Sequence, residues 1–203
     1  MKKIILFFTT ITALSIFSIS ESNAQFSAGL RLGVNASNVF ENGKISSSSK
    51  FVPGLHIGPY FRMAFKEKYR VQIDLLFSTK GSVYKGTLSG SPEKYYGVPF
   101  YLDVPVMFNY KPVAGLYVEA GIQPSFALAQ LNFSANTSSE VSSPSANYLK
   151  EVVFAPIVGL GYEFKKVSLG ARSSFGGTNA SSISSYGYTA KNFTMMATFG
   201  FKF

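Results

Sequence analysis

Between Phe193 and Phe203 every odd position is apolar, Phe193, Met195, Ala197, Phe199, Phe201 and Phe203, while the even positions carry Thr194, Met196, Thr198, Gly200 and Lys202. Successive side chains leave a strand on opposite sides, so a two-residue period predicts a β-strand with one apolar face. The same alternation recurs over residues 26–35, 51–65, 69–79, 100–110, 116–128, 152–164 and 166–175. The chain therefore reads as all-β, with eight strands.

Two features set these strands apart from those of a soluble sandwich. Aromatic residues on the apolar faces collect near the strand ends, with aliphatic residues between them. Phe26, Phe61, Phe65, Tyr69, Phe108, Tyr110, Tyr162, Phe164, Phe201 and Phe203 fall at one end, and Phe51, Phe77, Phe100, Phe126, Phe154, Phe175 and Phe193 at the other. Two such girdles flanking an apolar band ~25 Å tall are the pattern of a barrel in lipid. The charged residues, by contrast, fall on the opposite face at mid-strand: Arg31, Arg62, Arg70, Asp74, Asp103, Glu119, Glu163 and Arg172, together with the single histidine, His56. In hydrocarbon only a closed barrel satisfies every backbone group of a sheet. The pattern predicts an eight-stranded, up-and-down, antiparallel transmembrane β-barrel with an apolar outside and a charged lumen. Short links at 66–68, 111–115 and 165–166 alternate with long Ser-, Gly- and Asn-rich segments at 37–50, 81–98, 129–150 and 176–190. That alternation predicts short periplasmic turns and long extracellular loops, with both termini periplasmic.

Five prolines resist the scheme. Pro53, Pro59, Pro105, Pro124 and Pro156 lie inside expected strands, where proline removes a ladder donor. Bulges or early strand ends are expected there, and each bulge would reverse the facing of the residues beyond it.

The first 24 residues change the picture of where the strands reside. Lys2 and Lys3, an apolar stretch from Ile4 to Ile19, and Ser22-Asn23-Ala24 read as a signal peptide cleaved before Gln25, leaving 25–203 as the barrel domain. After residue 25 no stretch supplies the ~20 apolar residues of a spanning helix. The chain has no cysteine and one histidine, which excludes a disulfide scaffold, a cysteine nucleophile and a multi-His metal centre. No cofactor is expected. The net charge of +9 does not point to nucleic acid, because the chain is exported and its charges divide between lumen and rim.

Leu30-Arg31-Leu32-Gly33-Val34-Asn35, Leu75-Leu76-Phe77-Ser78-Thr79-Lys80-Gly81, Leu102-Asp103-Val104-Pro105-Val106-Met107, Gly159-Leu160-Gly161-Tyr162-Glu163 and the final Phe resemble the PorT-like outer-membrane β-barrel proteins of Bacteroidota. The resemblance covers essentially the whole mature chain. It implies an outer-membrane location and no catalytic residues, and its namesake implies support of the type IX secretion and gliding machinery. Phe203 resembles the signal by which the barrel-assembly machinery recognises its clients. The partners implied are outer-membrane lipid and lipopolysaccharide, the assembly machinery, and secretion or gliding components.

Three constellations remain as candidate chemistry. His56 with Asp74 or Asp103 is either a His–acid pair of hydrolytic type or a lumen histidine held by its neighbours; hydrolysis of lipid or peptide requires the group at the outer rim. The inward charges either line a small, porin-like diffusion channel or plug the lumen with paired ions, and an eight-stranded barrel is only just wide enough for its own side chains. Lys66, Lys68, Arg70, Lys111, Lys165, Lys166 and Lys202, partly balanced by Glu67, form either a solvated rim or a surface for peptidoglycan, anionic headgroups or a periplasmic partner. The expected function is that of a non-enzymatic, structural or accessory outer-membrane barrel.

Overall fold

The computed structural model describes residues 25–41, 44–45, 51–80, 82–88, 91–134, 137–142, 152–176 and 190–203. The expected signal segment, 1–24, lies outside the described residues. Eight barrel strands follow in chain order: β1 (Gln25–Glu41), β2 (Val52–Phe65), β3 (Tyr69–Asp74, Leu76–Thr79 and Ser82–Leu88), β4 (Ser91–Asp103 and Val106–Tyr110), β5 (Leu116–Ser134), β6 (Val152–Glu163), β7 (Val167–Phe175) and β8 (Ala190–Lys202). Each pairs antiparallel with its sequence neighbours, and β1 pairs with both β2 and β8. The sheet is thereby closed, as the alternation predicts.

The core is inside out. Leu32, Val34, Leu55, Ile57, Val118, Ile122, Val158, Leu160 and Leu169 are exposed on the outer wall, while Arg31, Arg62, Arg70, Asp74, Asp103, Glu119 and Arg172 are buried within. Such a wall is stable only against hydrocarbon. Both girdles are present. At the end carrying the short turns, Tyr69 stacks on Tyr110 at 5.4 Å and Tyr162 meets Phe164 at 4.9 Å; at the other, Phe193 lies 5.2 Å from Phe175 and 6.3 Å from Phe51.

The prolines do not reverse the facing. The β1–β2 register runs unbroken through Pro53 and Pro59, and the β5–β6 register through Pro124 and Pro156. Pro59 and Pro105 interrupt the ladder by one bond without shifting it. Leu75 N–H donates to Pro59 O at 2.9 Å, Asp74 N–H to Pro105 O at 3.1 Å, and Val104 N–H to Pro124 O at 2.8 Å. In an antiparallel pair of this kind two bonds are exchanged; the proline carbonyl accepts its share and only the return donor is missing. The register does shift between β4 and β5 at Phe100/Tyr101, immediately after Pro99, where Leu128 is passed over; burial still alternates on both sides of it.

Segments expected to be wholly loop carry strand at their bases. Ser82–Leu88 pairs with Ser91–Gly97, Thr137–Ser142 returns along β5, and β1 continues to Glu41 and pairs with Lys44–Ile45. Val83, Tyr84, Tyr95 and Tyr96 are strand-forming types, so Ser82–Leu88 and Ser91–Gly97 prolong β3 and β4 as a paired ladder. The short turns are as expected: Lys66–Lys68 links Phe65 to Tyr69 with Lys66 at φ 61°, and the 111–115 turn ends on Gly115 at φ 84°.

Candidate functional site

The lumen holds three tiers of charge. In the middle tier, Arg31 Nη1 and Arg172 Nη1 both donate to Asp74 Oδ2, at 2.8 and 2.7 Å, and all three side chains are 0% exposed. Arg172 also grips Glu119 through Nε at 2.5 Å and Nη2 at 3.2 Å. Asn109 donates to Glu119 Oε2 at 2.7 Å, and Gln72 to Asp74 Oδ1 at 2.6 Å. Each carboxylate is thus met by a guanidinium and an amide, which is what keeps buried charge tolerable.

Toward the short turns, Arg62 Nη1 and Arg70 Nη1 converge on the same oxygen of Glu163, at 2.9 and 2.5 Å. Arg62 Nε donates to Gln72 at 2.9 Å, joining this tier to the middle one. The Tyr60 ring carries Arg31 and Arg62, 5.1 and 5.2 Å from its centroid. It lies over Gly29, where a Cβ would stand 2.5 Å from the ring. Toward the long segments, Lys80 Nζ donates to Asp103 Oδ1 at 2.7 Å and to Ser125 Oγ at 3.1 Å, while Ser78 donates to Asp103 Oδ2 at 2.6 Å.

Eight of the nine residues singled out from sequence, all but His56, join these ion pairs. His56 is buried in the lumen, but among the described residues neither ring nitrogen has a hydrogen-bond partner. The His–acid pair does not form, because Asp74 is taken by two arginines and Asp103 by Lys80 and Ser78. Lys80, Gln72 and Asn109 are network members that the sequence reading did not single out. Lys80 keeps the even-numbered parity of Arg70 to Ser78, so extending the strand by one residue finds it; Gln72 and Asn109 carry no charge to draw notice. Phe203 is 77% exposed, its N–H donates to Ala28 O at 3.0 Å, and its ring lies 6.0 Å from Phe201.

A closed eight-stranded barrel with an apolar, aromatic-belted exterior and an ion-paired lumen is an integral membrane barrel of the outer-membrane class. The chain belongs to the outer membrane protein beta-barrel domain family, whose model matches residues 20–201. It is a protein of the outer membrane. Among solved structures it is similar to Ail, the attachment invasion locus protein of Yersinia pestis, in complex with the heparin analogue sucrose octasulfate: 16% identity, TM-score 0.53, covering 88% of this chain and 99% of that one. Neisserial surface protein A matches at 10% identity and TM-score 0.48, covering 89% and 99%. OprG from Pseudomonas aeruginosa matches at 13% identity and TM-score 0.40, covering 90% and 96%. Likeness at these identities is likeness of fold. No protein of curated function matches the sequence.

Proposed function

We propose that this barrel is a non-conducting, non-enzymatic membrane anchor that acts through its rims and its outer surface. The observation that carries this reading is the middle tier, where the side chains of Arg31, Asp74 and Arg172 are 0% exposed and both arginines donate to Asp74 across the lumen. An ion crossing there would have to displace the two guanidinium groups from the Asp74 carboxylate that they already hold. Planar-bilayer recordings of the purified barrel test it: a silent bilayer is expected, and stable ohmic conductance would establish the diffusion-channel reading instead.

The finer role is support of a secretion or surface-assembly complex, as the resemblance of the strand motifs to PorT-like barrels suggests. Barrel-assembly machinery is the expected partner during insertion, with the outward aromatic strand that carries Phe203 as the recognised element. Crosslinking a tagged copy in native outer membranes and identifying the captured proteins tests the accessory role. Reproducible recovery of secretion or gliding components supports it. Recovery of assembly factors and abundant lipoproteins alone opposes it.

A further inference from the structure

The lumen is closed at its middle and open at the end carrying the short turns. A cavity of about 770 Å³ there is lined by five basic side chains, Arg62, Lys66, Arg70, Lys111 and Lys202, against two acidic ones, Glu67 and Glu163. Glu163 is already shared by Arg62 and Arg70. Arg70, 6% exposed, spends Nη1 on that carboxylate, and its Nε and Nη2, themselves buried, have no partner among the described residues. Burial, Arg70, Arg62 and Lys202 hold the Lys111 ammonium below its ordinary pKa, against the pull of Glu163. An anion entering this mouth would meet crowded ammonium groups on a wall that includes Arg70, whose two buried donors remain to be satisfied.

The rim adds a second chemistry. The last β8–β1 pair is Lys202–Gly29, and β1 runs on to Gln25. Phe26 and Phe203, both lining the cavity, are 78% and 77% exposed on the bilayer side. The opening is thus cationic within and aromatic on its lipid edge, which matches a molecule with an anionic head and an apolar tail better than a soluble anion. We propose that the periplasmic mouth binds the headgroup phosphate of an anionic phospholipid, held by Arg70, Lys111 and Lys202, with its acyl chains leaving across Phe26 and Phe203.

The test is native mass spectrometry of the full barrel in detergent, titrated with phosphatidylglycerol, with phosphatidylcholine of the same chains, and with glycerol phosphate. Phosphatidylglycerol should bind about tenfold or more tightly than phosphatidylcholine. The Lys111→Gln/Lys202→Gln variant should lose that preference, since cations at a membrane surface contribute on the order of tenfold together. Lys68→Gln/Lys165→Gln, on turns outside the cavity, should retain it. Equal binding of the two lipids, retention of the preference by Lys111→Gln/Lys202→Gln, or its equal loss in the control would overturn the proposal. Glycerol phosphate binding as tightly as phosphatidylglycerol would make the site one for a soluble phosphate and would overturn the lipid assignment.

Discussion

Arg172 and Glu119 meet across a strand that belongs to neither. Both stand opposite Gly159, Arg172 from β7 and Glu119 from β5, so the three occupy one line across the sheet. The missing side chain of Gly159 is what leaves room for the forked contact at 2.5 and 3.2 Å. A Cβ there would lie 2.8 Å from Glu119 Oε1, 2.9 Å from Arg172 Cγ and 2.9 Å from Ala171 O.

Gly159→Ala should therefore destabilise the barrel by about 1–3 kcal/mol, the range for forcing atoms into a filled interior. Urea unfolding in lipid vesicles reads this directly, and unchanged stability would mean the fork is not held at this spacing.

Arg172→Ala removes a cation from two buried carboxylates, and loss of one member of a buried pair costs about 3–5 kcal/mol. Arg172→Met with Glu119→Gln should recover much of that, because Asp74 keeps Arg31 and Gln72. The same unfolding assay decides; a double variant as weak as the single one would place the cost elsewhere.

Pro59→Ala should restore the donor opposite Leu75. The pair already has one bond, Leu75 N–H to Pro59 O at 2.9 Å, and the new amide at position 59 should point at Leu75 O. Hydrogen exchange in nanodiscs should show that amide protected to the same degree as Leu75. Fast exchange there would show that the interruption has a cause other than the missing donor.

On the outer wall, Ile122 is 57% exposed between Val118 and Phe126. Ile122→Arg should cost about 2–4 kcal/mol in a bilayer, as for a cation near the midplane on a barrel's lipid face. A cost near zero would place position 122 at the interface.

The fold is legible from parity alone. A residue's oddness decides its side of the wall, and no proline altered that, since each removes a donor without adding a residue. The same parity separates Ile57 from His56 and Ile73 from Asp74. Pairing across the lumen is different, because it depends on which strands stand side by side after closure and on small residues between them. Nothing local marks Gly159 as the gap through which Arg172 reaches Glu119, nor Gly29 as the floor beneath Tyr60. The paired ladder beyond Thr79 was hidden by its glycines and serines, although its tyrosines favour strand.

The seam between β1 and β8 has a kinetic meaning. It joins Gly29–Glu41 to Ala190–Lys202 through thirteen matched pairs, with no register shift and no proline between Gly29 and Ser37. The ends of the domain that are farthest apart in sequence thus form one of its longest uninterrupted ladders. Such contacts form late, because the loop they close is the largest. Until that last zipper engages, both flanking strands present bare edges, so insertion needs a chaperoned surface to cover them. Once it has engaged, unzipping must break the whole run in a medium with no water to replace it. The barrel should therefore be slow to close and slower still to reopen, persisting by its barrier as much as by its depth.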